Sequence, residues 1–561
     1  MNDLLLARVA NLGGSTSVSC GAAAAVGLLS HWLYFIRGPR VLASTRILIF
    51  YLVALASLFT KAVSNQGLYD GLLTYVTISG SYFIALFTSM EIYRLCFHPL
   101  RRFPGPIQAN IANGYIAWLN RNWKIHDRYV EMHEKYGDFV RVGPNAISVV
   151  NLDAFNKIHG PQAKSSKRGS GFYDSLVSFG ERNLDVILDN DEHRDRRKIW
   201  DLALGTKALE KYEVETRAVL RTWLGRLEEV NGKPIDTSHY AKLIPFDNMG
   251  RIAFSRDFGS VQEGRAGRIL DIIGAAFKLN SRMGQTPWPY VILSSLPRVG
   301  KLKEFETLGV RLVDERVAKD SEETHDMMKY FLNDLRSEKP KSFYNMNIIY
   351  SDSYAILIGA TDTISCVLGY SFYFMAKDAK LRQRLHNEIA SARGKTIPGE
   401  FAASDLAKLE FLEAFIKETI RMHTPAALNG ARVSPPEGVV VDGTYIPGGV
   451  TLITPLHLYH RSEKYWKQPH EFIPERWTTR PDLILDQRAY VPFNYGRFDC
   501  VGRRLAYNVI RQTIAYTLWN YDFTFAPGED GTRLEREAKF HLIIKPGRLD
   551  CVFTKRPEAE A

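Results

Sequence analysis

The chain has 561 residues, 45% of them apolar and 24% charged, and a formal net charge of +11. These proportions are those of a globular protein with a large buried core and exclude an intrinsically disordered chain. The basic balance suits an anionic membrane surface or an acidic protein partner; with no zinc-finger spacing, RNA-binding aromatic signature or long Lys/Arg tract, nucleic acid is not an expected partner.

Three apolar stretches precede residue 93, at 21–36, 47–63 and 72–90. Each approaches the ~20 residues that cross a bilayer. Residues 1–96 therefore read as a membrane anchor with up to three transmembrane helices. The repetition, and a start lacking a basic run followed directly by an apolar one, argue against a cleaved signal peptide. Arg37, Arg40 and Arg46 separate the first two stretches and Arg94, Arg101 and Arg102 follow the third, whereas the remaining loop holds only Lys61 and Asp70. Positive charge marks the cytoplasmic side, so the first loop and everything after residue 93 are expected there. The segment Phe97-His-Pro-Leu-Arg-Arg-Phe-Pro-Gly-Pro106 has three prolines, which predicts a stiff, extended connector over 97–106.

Residues 107–561 read as one large, mainly helical domain with a minor β component. Residues 139–142 and 146–150 flank Gly143-Pro144 as a hairpin. His193 and Arg197, in Asp191-Glu-His-Arg-Asp-Arg-Arg-Lys-Ile-Trp200, lie one helical turn apart and can both hold a carboxylate; a solvated basic helix reads the same way. In the apolar run 344–376, Gly359-Ala-Thr-Asp-Thr363 puts a polar cluster in mid-helix against propensity. Side chains bonded back to the preceding turn are the plainer reading. Leu406, Leu409, Leu412, Ile416 and Ile420 mark an amphipathic helix begun by Ser404 or Asp405 and ended before Pro425. Glu418 and Arg421 share one of its faces, as an exposed ion pair also would. From Val433 to Thr454 the pattern turns β-rich.

The five cysteines (Cys20, Cys96, Cys366, Cys500 and Cys551) are scattered, odd in number and never spaced as CxxC. That argues against a disulfide framework or zinc site and fits a reducing compartment. One of them stands apart by its neighbours, in Phe493-Asn-Tyr-Gly-Arg-Phe-Asp-Cys-Val-Gly502. Ala506, Ile510, Ile514 and Leu518 continue as one helical face, which places Cys500 in a glycine-containing loop at a helix N-terminus. There the helix dipole and free N–H groups favour thiolate, and glycine admits close approach of a flat macrocycle. The loop alone is also compatible with an inert turn holding a buried cysteine.

This segment resembles the haem-binding loop of the cytochrome P450 family, and the other motifs agree in order and spacing from about residue 97 to 550. The resemblance implies a P450-like fold behind a transmembrane region, haem b as cofactor, and Cys500 as the axial metal ligand, with Phe493, Gly496 and Gly502 around it. It implies a structural network of Glu418, Arg421 and Arg476, the last from Phe472-Ile-Pro-Glu-Arg-Trp477, and haem-propionate contacts by His193, Arg197 and Arg432. Asp362 and Thr363 take the family's proton-relay roles, although Ala360 and Ile364 depart from its usual pattern. The chief departure is Phe498, where the family has a basic residue for a haem propionate; Arg497 is adjacent but points elsewhere on an extended loop. The implied activity is a monooxygenase, dependent on O2 and NADPH through a separate reductase, acting on an apolar small molecule at the endoplasmic reticulum membrane. Arg503, Arg504, Arg194, Arg196 and Lys198 are candidates for the reductase-docking face. The multi-span start and the Gly-Arg-Phe-Asp-Cys loop are most similar to filamentous-fungal members, many of which tailor secondary metabolites. A haem-thiolate isomerase or dehydratase and a non-catalytic membrane haem sensor are the alternatives.

Overall fold

Two helices carry the three apolar stretches: α1 (Gly14–Leu33) and α2 (Ser44–Ile92). Gly67, with φ 78° and ψ 174°, interrupts α2, and its halves fold back on each other. The Tyr51 and Tyr82 hydroxyls meet at 2.7 Å and the Phe59 and Tyr75 rings at 5.5 Å. Only glycine adopts that positive φ without strain. Gly71 lets the halves close, since a Cβ there would lie 2.6 Å from Val63 Cα. Helix α1 packs alongside, with Tyr82 donating to Ser30 at 3.0 Å and His31 against Ser89 at 2.8 Å. Ile49, Leu52 and Phe87 point outward and are exposed. Both helices are long and apolar enough to cross a membrane, which is the arrangement of a multi-pass membrane protein. The computed structural model describes residues 14–38, 40–167, 173–177, 180–265, 267–283, 286–297, 300–321, 323–342 and 344–557.

The connector departs from the extended form expected of it. Pro99–Arg102 is a 3-10 turn capped by His98, whose Nδ1 accepts from the Leu100 N–H at 3.1 Å. Proline at the first position of such a turn forfeits no hydrogen bond, so its prolines are compatible with a tight turn. Leu100 and Phe103 are buried with Ile147, Val149 and Leu452, and the Arg141 N–H donates to Pro104 O at 2.7 Å. The connector is part of the wall of the body.

In the body, β1 (Phe139–Gly143) and β2 (Ala146–Val149) form the antiparallel hairpin. β2 is flanked in parallel by β4 (Thr451–Ile453), and β4 pairs antiparallel with β3 (Arg432–Val433), giving the order β1-β2-β4-β3. The helices that build the interior are α3 (Asn190–Ala203), α4 (Thr237–Phe254), α5 (Pro287–Ser294), α6 (Met346–Lys377), α7 (Glu410–Met422) and α8 (Arg503–Asn520). A C-terminal hairpin of β5 (Lys539–His541) and β6 (Ile543–Lys545) lies against α6. The 32-residue α6 is also apolar enough to cross a membrane, but 72% of its apolar window is buried inside the body, so it is the central core helix. The fold is mainly α with minor β content.

Helix α7 begins later than its apolar spacing suggests. A short turn, Ala403–Leu406, ends first; α7 then starts where the Glu388 carboxylate accepts from the Phe411 and Leu412 N–H groups at 2.9 and 2.8 Å. Its cap comes from elsewhere in the chain, and satisfies donors that Ser404 and Asp405 are too distant in sequence to reach.

Candidate active site

The loop before α8 is shaped by its backbone. Gly496 has φ +77°, and a Cβ there would lie 2.2 Å from His159 O. Its lack of a side chain thus lets the loop pack on the His159–Gly160 backbone. At Gly502 the nearest atom to an added Cβ is Cys500 Sγ at 3.9 Å, so the space beside the sulfur is open. The Cys500 N–H donates to Phe493 O at 2.8 Å. The Phe493 ring packs against Tyr507 at 5.5 Å and under the Arg503 guanidinium at 5.4 Å.

Cys500 is exposed, but to an internal cavity of about 680 Å³ that it lines with Gly359, Thr363, Phe493 and Gly502. Burial among protein atoms pushes its thiol up, while the Gly502 N–H, Arg197 and Arg503 pull it down. Burial prevails. The helix terminus alone does not hold a thiolate here; a cation bound at the sulfur would.

Helix α6 runs unbroken through the Gly359–Thr363 cluster. Gly359 turns bare backbone to the cavity, with nothing within 4 Å of an added Cβ. Thr363 lines the cavity, its hydroxyl donating to Gly359 O at 2.6 Å. Asp362 does not line it. Its buried carboxylate meets Lys545 of β6 at 3.2 Å, and it also attracts Lys242 of α4.

A second wall of the cavity is cationic. His193, Arg197 and Arg432 all line it. Burial, then the neighbouring cations Lys167 and Arg197, push His193 down to about 3, so it is neutral. Arg197 bonds Asp499 through its carbonyl at 2.8 Å and its carboxylate at 3.1 Å, and Asp201 at 2.8 Å. Arg432 donates to the Tyr173 hydroxyl at 2.6 Å. Phe498 stands among them, its ring 4.7 Å from His193 and 4.8 Å from the Arg432 guanidinium. Arg497 is exposed and does not line the cavity.

One member of this wall carries no signal in the sequence. Lys167 is 2% exposed, lines the cavity and holds its Nζ 4.3 Å over the Phe498 ring. An antiparallel bridge between Ser166 and Val433 sets it beside Arg432. Burial pushes it down to about 7, Asp185 opposing and Arg432 reinforcing. Its own neighbours Lys164 and Ser165 give no hint of a buried site.

The basic run on α3 divides. Arg194, Lys198 and Arg503 are exposed, as is Arg504. Arg196 is not, and so drops out of any docking face. It is 1% exposed and pairs with the fully buried Asp352 of α6 at 3.0 Å. Asp352 also accepts from Leu184 N–H, Trp200 Nε1 and Tyr344 OH. This hub, together with the Asp189 cap of α3, fixes the helix that presents His193 and Arg197.

Behind the loop, Glu418, Arg421 and Arg476 are all fully buried. The Glu418 carboxylate accepts from Arg421 at 2.8 and 2.9 Å and from Arg476 at 2.9 Å. Ile473 N–H and Trp477 Nε1 add two more bonds, each 3.0 Å.

His193 Nδ1 and Arg432 Nε are buried and have no protein partner among the described residues. A sulfur at an open face, bare glycine backbone across from it, and unfilled donors on a cationic wall fit a flat iron macrocycle with carboxylate arms. The comparisons agree. The cytochrome P450 family model matches residues 104–551. The chain is 29% identical to "Cytochrome P450 monooxygenase lcsK" of Purpureocillium lilacinum over 96% of this chain and 99% of that protein. It is 31% identical to "Cytochrome P450 monooxygenase sthD" of Phaeosphaeria nodorum over 84% and 98%. It is 30% identical to "Tryprostatin B 6-hydroxylase" of Aspergillus fumigatus over 96% and 97%. The chain belongs to the cytochrome P450 family, as a membrane-associated monooxygenase of the fungal type.

Proposed function

We propose that the protein holds haem b through Cys500 and inserts one atom of O2 into an apolar small molecule, in fungal secondary metabolism. The observation that carries this reading is that Cys500 and Thr363 line one and the same cavity, a cysteine sulfur and a hydroxyl on shared walls. When bound, haem supplies the oxygen-activating chemistry, with electrons delivered from outside the chain. Similarity to a hydroxylase of tryprostatin B supports hydroxylation as the reaction class.

The residues of the chain then divide the work. Cys500 ligates the metal, and Arg432, Lys167 and Arg197 hold the carboxylate arms, with neutral His193 as a hydrogen-bond partner. Apolar side chains from α6, among them Ala360, Ile364 and Val367, exclude water and orient the substrate. Thr363 keeps its hydroxyl proton at the cavity wall. Asp362, paired with the partly exposed Lys545, is the acid one step outward and can pass a proton from the surface toward Thr363. Glu418, Arg421 and Arg476 keep the scaffold behind the loop rigid. Arg503, Arg504, Arg194 and Lys198 are exposed cations that suit an acidic reductase face, on an endoplasmic reticulum membrane with the body in the cytoplasm. The docking of the Val41–Ala43 turn, between the first two passes, on body helix α5 supports that orientation.

The test is the carbon monoxide difference spectrum of the reduced full-length protein in membranes. A strongly red-shifted Soret band, lost in Cys500→Ala, is expected. A band at the position of histidine-ligated haem would overturn the assignment.

A further inference from the structure

The anchor does more than tether the body. Between α1 and α2 the chain makes a 3-10 turn at Val41–Ala43, and Val41 lines the same cavity as Cys500. The turn packs against α5, and Thr45 at the start of α2 meets Ser295 just after α5, hydroxyl to hydroxyl at 2.9 Å. Pro287 at the head of α5 and Asn113 also line the cavity, and Thr286 donates to Asn113 O at 3.3 Å. The other end of the anchor is stitched to the body as well. Arg94 donates to Ile111 O at 2.5 Å, and Arg141 donates to Arg94 O at 3.0 Å.

Around this place the surface is apolar. Leu42 is 62% exposed, Trp288 52% and Leu296 56%, all beside helices whose outer faces are lipid-like. Arg40 lies 4.4 Å over the Tyr34 ring and donates to Tyr34 O at 3.0 Å. An Arg–Tyr pair beside an apolar helix is the composition of a headgroup-level belt. The approach to the cavity therefore lies where the bilayer's apolar region begins. On the anchor side the packing of the turn on α5 is joined by an exposed hydroxyl pair, which exchanges readily with water.

We propose that the anchor loop around Val41 forms one jamb of the substrate entrance, and that the size of residue 41 limits which apolar molecules pass from the bilayer into the cavity. This rests on the reading above only in taking Cys500 as the destination. Val41 is a specificity-determining residue contributed by the membrane anchor itself, opposite Pro287 and the hydroxyl contact of Thr45 with Ser295.

The experiment uses full-length protein in phosphatidylcholine nanodiscs and two nitrogenous haem ligands, bulky apolar clotrimazole and small water-soluble imidazole. Association is followed by the shift of the Soret band. Val41→Trp is expected to slow clotrimazole by about tenfold or more and leave imidazole within about twofold, since a narrowed passage penalises only the larger molecule. Val41→Phe gives an intermediate slowing, and serves if the tryptophan variant does not fold. Leu52→Trp, an equal bulk at a 58% exposed anchor position, is expected to leave both rates alone. Unchanged clotrimazole association in Val41→Trp or Val41→Phe, equal slowing of both ligands, or the same slowing in Leu52→Trp overturns the proposal. Failure of the haem-thiolate reading would show separately, as a wild-type protein without the red-shifted carbon monoxide band. In that case the uptake of Nile red, which needs no haem, reads the same entrance with the same variants, and equal uptake by wild type and Val41→Trp overturns it.

Discussion

Two buried polar clusters flank the cysteine loop, and they are built on opposite plans. Glu418, Arg421 and Arg476 are each fully buried; His193, Lys167 and Arg432 are 4%, 2% and 3% exposed. Burial is thus nearly equal. In the first cluster the carboxylate is saturated by two arginines, an indole and a backbone N–H. Further guanidinium hydrogens go to the carbonyls of His460, Pro469, Glu471, Lys467, Gln468 and Leu483. In the second, three nitrogenous side chains crowd an aromatic ring. Lys167 donates to the Asp185 carbonyl, and the Asp185 carboxylate, 3.9 Å away, is 80% exposed. Buried charge persists when it is paired. The first cluster is complete within the chain and belongs to the scaffold. The second lines the cavity, and on the proposed reading the carboxylate arms of haem would complete it.

The contrast is broken most severely at Glu418. Glu418→Ala leaves two buried guanidiniums facing each other and is expected to destabilise the fold by about 3–5 kcal/mol, read as a fall in the denaturant midpoint of tryptophan fluorescence. A wild-type midpoint would show that the network does not support the scaffold. On the other side the effect should move from the fold to the ligand. Arg432→Met is expected to speed haem loss to apomyoglobin by about thirtyfold, while the unfolding midpoint of the haem-free protein stays level or rises. A large fall in that midpoint would put Arg432 in the first class instead.

The same contrast explains what could be read from the chain. Cys500, the Glu418–Arg421 pair and the Thr363 cluster are legible because local spacing sets them on one loop or one helix face. The apolar helices of the anchor are legible from apolar length. What is hidden depends on distant partners. Lys167 acquires its role through a bridge from Ser166 to Val433, across more than half the body. Arg196 looks like its exposed neighbours Arg194 and Lys198, and differs only because Asp352 reaches it from α6. The start of α7 is set by Glu388 on another helix, and the connector folds into a turn because Leu100 has a pocket to fill. Phe498 is visible as an anomaly in the sequence, but the cation that accompanies it is not.

Lys167 gives the smaller effects, and the most discriminating. Lys167→Met is expected to speed haem release by about tenfold, less than Arg432→Met, because one flexible ammonium gives fewer and less directional bonds than a guanidinium. Lys167→Arg should restore retention. A Lys167→Met protein that holds haem as tightly as wild type would leave Phe498 without a compensating cation at this site.

The last effect is on pH dependence, and its sign follows from burial. In the folded, haem-free protein Lys167 titrates at about 7, against an ordinary value of 10.5. Between those values the unfolded chain keeps a proton on this residue that the folded chain has released. Stability therefore rises with pH across that window. The groups facing Lys167 are Asp185, which opposes the shift, Arg432, which deepens it, the Tyr173 and Phe498 rings, and His193, already neutral there. Substitution by methionine removes the titration, so the slope of stability against pH from about 7 upward should be shallower in Lys167→Met than in wild type. With haem carboxylates beside it, Lys167 keeps its proton in the folded state too, so the two proteins should run parallel once loaded. A slope difference that persists in the haem-loaded proteins would mean that no anion reaches Lys167, and that the cationic wall is completed by Arg432 and Arg197 without it.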